Sequence, residues 1–105
     1  MTATRPPTVR DDRAHGRFVF QNDGAVAELV YEVDATRLFL LHTEVPEALR
    51  GQGVGGQLVT AAVGRALDDG LTVVPWCPYA RRWLGRHPDV ADNVVDWTLL
   101  PPSHP

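Results

Sequence analysis

Pro46-Glu47-Ala48-Leu49-Arg50-Gly51-Gln52-Gly53-Val54-Gly55-Gly56 is the stretch that decides the fold of this chain. Four of its last six residues are glycine, and Leu58, Val59, Ala62, Val63, Ala66 and Leu67 then recur at helical spacing as one apolar stripe. Glycine lets a backbone come close to a partner and take unusual φ values. A helix start offers unpaired N–H groups and the positive end of its dipole to an anion. Together these features read as a cradle for a pyrophosphate. No lysine follows, so the loop is not of the G-x-x-x-x-G-K-[ST] kind. Gly51, Gly53 and Gly56 formally fit G-x-G-x-x-G, but Pro46 to Arg50 separate them from the preceding strand. No acid stands after the next strand to hold a ribose, and too few strands remain for a dinucleotide fold.

Upstream of the loop the pattern is that of strands. Phe18 to Gln21 is a short apolar stretch closed by Asn22-Asp23-Gly24, a hairpin-turn signal. Ala25 to Val33 alternates, with Ala27, Leu29, Tyr31 and Val33 on one face and Glu28 and Glu32 on the other. Asp34 to Arg37 turns the chain. Leu38 to Val45 is a third strand, expected to carry Leu38, Leu40, His42 and Glu44 on one face. Strands joined by such short turns form an antiparallel meander, which Pro46 ends. Downstream, Gly70 terminates the helix, Leu71 to Cys77 reads as the next strand, and Tyr79 to Arg86 as a short second helix. Pro75 cannot donate to a ladder, so this strand should be unpaired on one side near it. Residues 88–99 fit either a last strand or a packed tail. A helix joining neighbouring strands requires parallel pairing. The expected fold is therefore α+β, in the order β-β-β-loop-α-β-α, with a mixed, mostly antiparallel sheet and two helices.

At 105 residues the chain is expected to form one domain over 9–100, between proline-bearing tails at 1–8 and 101–105. Hydrophobic residues make up 44% and charged residues 22%, the balance of a soluble globular protein. The net charge of -3 and the absence of a basic block give no footprint for nucleic acid. No apolar run is long enough to span a bilayer, and Met1 to Arg10 lack the apolar core of a signal peptide. A single cysteine, Cys77, makes no internal disulfide, so a reducing, cytoplasmic setting with a free thiol is expected. No set of residues has metal-ligand spacing, and there is no serine-nucleophile motif.

The hexapeptide Arg50-Gly51-Gln52-Gly53-Val54-Gly55 resembles the pyrophosphate motif Q/R-x-x-G-x-G/A of the GNAT superfamily of acyl-CoA-dependent N-acyltransferases. It fits at each specified position, through Arg50, Gly53 and Gly55. The wider chain is similar to the compact, single-domain branch of that superfamily. The resemblance runs in order from Gly16-Arg17-Phe18, Asp23-Gly24 and Leu29-Val30-Tyr31 through His42-Thr43-Glu44-Val45-Pro46 and the hexapeptide. It continues in Val74-Pro75-Trp76-Cys77-Pro78-Tyr79 and ends at His87-Pro88. It implies a GNAT fold in which the strands before and after the motif helix splay apart to take the pantetheine arm of acetyl-CoA. The long helical segment that shapes the acceptor site of larger GNAT enzymes near their N-terminus is missing here.

The same resemblance implies cofactor contacts from Arg50, Gly51, Gln52, Gly53, Val54, Gly55 and Gly56, and an oxyanion-binding backbone N–H at Val45, at a strand bulge. The implied reaction, acyl transfer from a thioester to an amine, needs a neutral amine, an oxyanion stabiliser and a proton for the leaving thiolate. His42 and Glu44 are candidates to take the amine proton, and histidine's ability to titrate near neutrality favours the former. Cys77 is expected at the thioester end, either packing beside the acyl group or acting as a nucleophile. Tyr79 is a candidate proton donor to the thiolate. Trp76 and Trp83 read as packing residues, Arg81, Arg82 and Arg86 as a solvated helix face, and His87 before Pro88 as a helix terminator.

The function expected is direct transfer of an acetyl group from acetyl-CoA to a primary amine of a protein, peptide or small molecule. The chain would act as a monomer, without metal, nucleic acid or membrane. The alternatives are a non-catalytic acyl-CoA-binding module, which keeps the cradle but no turnover, and a structural domain that binds no CoA.

Overall fold

The computed structural model describes residues 8–99 and 101. Apart from Thr8 and Pro101, the two expected tails lie outside the described residues. The chain runs through β1 (Val9–Asp12), β2 (Arg17–Asn22), β3 (Ala25–Val33), β4 (Arg37–Glu44), α1 (Val54–Asp69), β5 (Thr72–Pro75), α2 (Pro78–Gly85) and α3 (Pro88–Ala91). The five strands form one sheet in sequence order. Pairing is antiparallel up to β4 and parallel between β4 and β5. This is the mixed, mostly antiparallel sheet expected, enlarged at one edge.

Two elements are additions to the sequence reading. β1 contains one apolar residue, Val9, so its composition does not mark it as a strand. It is held by its ladder with β2 and by the Tyr31 hydroxyl, which donates to Asp11 Oδ1 at 2.6 Å. α3 makes a third helix where two were expected. It occupies the start of the ambiguous stretch, and among the described residues only an isolated bridge from Val95 to Val73 follows.

The core lies on one side of the sheet. Leu58, Val59, Ala62, Val63 and Ala66 of α1 are buried against Phe18, Leu29, Leu38 and Leu40. The stripe ends there, because Leu67 is 67% exposed. Ala80 and Leu84 of α2 extend the same cluster. By area, each of these valine, leucine and phenylalanine side chains taken from water contributes about 1.5–3 kcal/mol against the entropy of ordering it, and each alanine methyl about 0.8 kcal/mol.

The β3–β4 ladder slips once. Val30 pairs with His42 while Tyr31 pairs with Leu40, leaving Leu41 as an extra residue in β4. A slip of one residue moves every later side chain to the opposite face. Leu38 and Leu40 therefore lie on the helix-covered face, but past the bulge Thr43, paired with the buried Leu29, takes that face. His42 and Glu44, paired with Val30 and Glu28, lie on the other. This extra residue corrects the expectation that Leu38, Leu40, His42 and Glu44 share a face. It also places the bulge at Leu41 and not at Val45.

β4 and β5 part at Trp76. Along β5 the donors alternate: Thr72 N–H points inward to Thr36 O (2.9 Å) and Val73 N–H outward to Val94 O (2.8 Å). By that alternation Pro75 falls at an outward position, past the single outer bridge, where its missing N–H costs no ladder bond. Trp76 N–H then turns back to Val74 O (3.1 Å), and Cys77 N–H makes the last link to β4, at Leu40 O (2.7 Å). Leu41 to Glu44 continue without β5 beside them.

Candidate active site

The loop before α1 is pinned at one point. A 3-10 turn over Glu47–Leu49 buries Leu49 to 3% exposure, and the residues beyond it remain at the surface. Gly51 and Gly53 hold φ of 78° and 73°, the left-handed region that side chains with a Cβ rarely adopt. A Cβ at either position would meet nothing within 4 Å, so both are glycine for the backbone's path and not for lack of room. Gly53 caps α1 without any side-chain hydrogen bond, and the first helical bond runs from Gln57 N–H to Gly53 O at 3.1 Å. The N–H groups of Val54, Gly55 and Gly56 precede that bond and are the open donors of the helix start. Arg50 stands beside them, with 68% of its side chain exposed, and pairs with Glu47 at 3.3 Å. Gln52 does not join them: its amide donates back to Ala48 O at 3.1 Å.

Gly55 and Gly56 have a different reason. A Cβ at Gly55 would sit 2.6 Å from Tyr79 Cζ, and one at Gly56 would sit 2.6 Å from Trp83 Nε1. These two glycines let α2 close on the first turn of α1. Trp83 is fixed in turn by His87, whose ring stacks on it at 3.7 Å and whose Nδ1 lies 2.7 Å from Trp83 O. The readings of Trp83 as a packing residue and of His87 as the end of a helix agree with this geometry.

Tyr79, supported by Gly55, stands between two hollows. One, of about 440 Å³, lies between the end of β4 and the start of α1 and is lined by Thr43, Val45, Leu49, Arg50, Gly51, Gly53, Val54, Gly55 and Tyr79. The other, of about 650 Å³, opens on the far side of Gly53 and Tyr79, along Gly56, Gln57, Thr60 and Trp83. The larger takes in Gly56, whereas the smaller joins Val54 and Gly55 of the helix start to the unpaired end of β4. Of the residues expected to hold a cofactor, Val45, Arg50, Gly51, Gly53, Val54 and Gly55 line the smaller hollow. Gly56 lines the larger, and Gln52 lines neither.

The expected proton-transfer residues divide. Tyr79 is at the hollow. His42 and Glu44 are close to each other, Nε2 to Oε2 at 3.4 Å, but they are 63% and 70% exposed on the sheet face away from α1. Cys77 is 3% exposed and does not line the hollow. Its Sγ lies 3.1 Å from Thr43 Oγ1, behind the residue that does. Sequence reasoning missed two residues of the hollow, the apolar Leu49 and the polar Thr43. A straight strand would have turned Thr43 away from α1, and no residue type at Leu41 announces the bulge.

The arrangement can hold an anion at uncapped N–H groups and an extended apolar-and-polar chain from there to the strand end. Among the described residues there is no group of three or more His, Cys, Asp or Glu able to hold a metal ion. No helix among them is long and apolar enough to cross a membrane.

Known proteins resemble the chain along most of its length. The family model for GCN5-related N-acetyl-transferase matches residues 17–93. Protein NATD1 of Homo sapiens is 33% identical over 86 residues, covering 79% of this chain and 76% of that protein. Protein NATD1 of Danio rerio is 29% identical over 92 residues, covering 83% and 84%. A GCN5-like protein of Staphylococcus aureus, solved in solution, superposes with a TM-score of 0.66 at 29% identity and 91% coverage of both chains. The matched span begins at Arg17, contains the whole of the glycine loop, both longer helices and the parting of β4 from β5, and ends just past α3. By motif, sheet and matched span, this chain belongs to the GCN5-related N-acetyltransferase family.

Proposed function

We propose that the protein is an N-acetyltransferase that moves the acetyl group of acetyl-CoA to a primary amine by direct attack of that amine. The observation that carries this reading is the uncapped start of α1 facing a hollow of about 440 Å³ that ends at Thr43 and Val45. In this reading the N–H groups of Val54 to Gly56, with Arg50, hold the diphosphate, where oriented donors and the helix dipole act together. Val45 offers its backbone N–H to the carbonyl oxygen at the strand end. Tyr79 supplies a proton to the leaving sulfur, and His42 or Glu44 receives one from the amine, through water across the end of the strand. When bound, acetyl-CoA supplies the activated acyl group. Cys77, behind Thr43, is a packing residue here and not a nucleophile.

One observation favours the second reading, a non-catalytic acyl-CoA-binding module: His42 and Glu44 lie on the sheet face opposite Thr43. The experiment that separates the two has two parts. Calorimetry with CoA tests the cradle, and mass spectrometry of a mixed panel of amines and peptides after incubation with acetyl-CoA tests turnover. Binding with acetylated product supports the enzyme, binding without product supports the module, and no binding removes both.

A further inference from the structure

The bulge at Leu41 puts one hydroxyl at the strand end of the hollow, and a thiol stands directly behind it. Thr43 lines the hollow, and its Oγ1 is 3.1 Å from the Sγ of buried Cys77, which does not line it. Either atom can donate in that contact. A threonine hydroxyl has one hydrogen and two lone pairs. If the hydroxyl donated to sulfur, its only hydrogen would be spent behind the wall. If the thiol donates to Oγ1, the hydroxyl hydrogen is free for an acceptor in the hollow.

We infer that Thr43 recognises the acyl group, donating its hydroxyl hydrogen to the carbonyl of the bound thioester, and that Cys77 is the positioning residue that orients it. This deepens the proposed function and rests on that reading of the hollow. The direction of the ligand follows from charge. The diphosphate belongs with the helix-start donors at one end, so the acyl group reaches the other, where Thr43 and Val45 stand. Free CoA has no carbonyl there, so the contact distinguishes the acylated from the free cofactor.

The test is the ratio of affinities for acetyl-CoA and CoA, measured by calorimetry on the whole chain with no amine present. Thr43→Val keeps the shape and β-branching and removes the hydroxyl, while Thr43→Ser keeps the hydroxyl. Loss of one neutral hydrogen bond corresponds to about a three- to tenfold change. Thr43→Val should weaken acetyl-CoA by about that factor, leave CoA within about twofold, and be rescued by Thr43→Ser. Cys77→Ala should lower the ratio part-way, and Cys77→Ser should hold it. An unchanged ratio in folded Thr43→Val, or an equal loss of both ligands, overturns the inference. A stoichiometric acetyl adduct on Cys77 overturns it as well, since the thiol would then face the acyl group itself. If the wild-type chain binds no CoA, it is the reading of the hollow that fails, and the inference falls with it.

Discussion

At its C-terminal end α1 is tied down, and at its N-terminal end it is left open. Arg65 is only 12% exposed and joins three elements: it donates to Asp69 on its own helix (3.2 Å), to Asp11 on β1 (3.1 Å) and to the Tyr31 hydroxyl on β3. Its guanidinium also lies 5.0 Å from the centre of the Tyr31 ring. Sixteen residues span the helix, and its other end starts on Gly53, uncapped, beside a hollow. A helix end with unsatisfied donors costs stability unless something binds them. The network at the far end holds the helix in place, so the near end is free to present its donors to a ligand. Under the proposed function, stability and binding would be assigned to opposite ends of one element, and substitutions at the two ends should separate them.

The largest expected effect is at the closed end. Arg65→Met keeps the aliphatic volume and removes the shared charged partner of Asp11 and Tyr31, leaving them only their bond to each other and the Arg13 ion pair at 3.5 Å. Losing a partly buried charged partner costs about 2–3 kcal/mol. The midpoint of urea unfolding should fall accordingly, while CoA affinity in the folded protein stays within about twofold. A comparable loss of affinity would show that the two ends are not independent.

At the open end the effects should reverse. Gly53→Val places a β-branched residue in the left-handed region, which costs about 1–3 kcal/mol of strain, and puts its side chain at the hollow. Asparagine tolerates that region. Gly53→Asn should therefore recover most of the stability in thermal unfolding but not the CoA affinity, which is expected to drop about tenfold or more in both variants. If asparagine restored both, Gly53 would serve only the path of the chain.

Alkaline pH, read as the difference between wild type and Tyr31→Phe, probes the closed end. Burial, and then the hydrogen bond to the Asp11 carboxylate, hold the Tyr31 phenol above its ordinary value of 10.0. The neutral phenol is the form the folded state favours. Its stabilising contribution is complete below the unfolded value and is lost as pH rises through the higher folded one. Wild-type stability should fall more steeply above about pH 10 than that of Tyr31→Phe, which has no proton to lose. Parallel curves for the two proteins would remove Tyr31 from the network's energetics.

The open end was the legible one. Four glycines before an apolar stripe announce an open helix start because both signals are local: backbone freedom at Gly51 and Gly53, periodicity from Leu58 onward. The alternation of Ala27, Leu29 and Tyr31 likewise survives in the burial of β3, although Val33 at its end, expected with them, is 43% exposed. What did not show was set by partners distant in sequence. β1 reads as a charged segment because its stability comes from β2 and from Arg65, which lies on α1 far along the chain. Thr43 and His42 exchanged faces because the bulge depends on how β3 and β4 register, not on the residue types around Leu41. Gly55 and Gly56 looked like cradle glycines, and only the positions of Tyr79 and Trp83 show that α2 requires them small.

The smallest effect belongs between the ends, at Gly64. This glycine is within α1 with an exposed surface, and a Cβ there would meet nothing within 4 Å. It therefore lacks both reasons that keep Gly51, Gly53, Gly55 and Gly56: no left-handed φ demands it, and no neighbour fills its place. Alanine loses less backbone entropy on entering a helix, a gain of about 0.5–1 kcal/mol. Gly64→Ala should raise the unfolding midpoint by that amount and leave CoA affinity unchanged, whereas Gly56→Ala, facing Trp83, should lose about 1–3 kcal/mol by overpacking in spite of the same propensity gain. The pair compares one substitution on one helix in open and in filled space. Chemical denaturation of both variants decides it: if Gly64→Ala were as destabilising as Gly56→Ala, the cost would lie in the helix itself and not in the approach of α2.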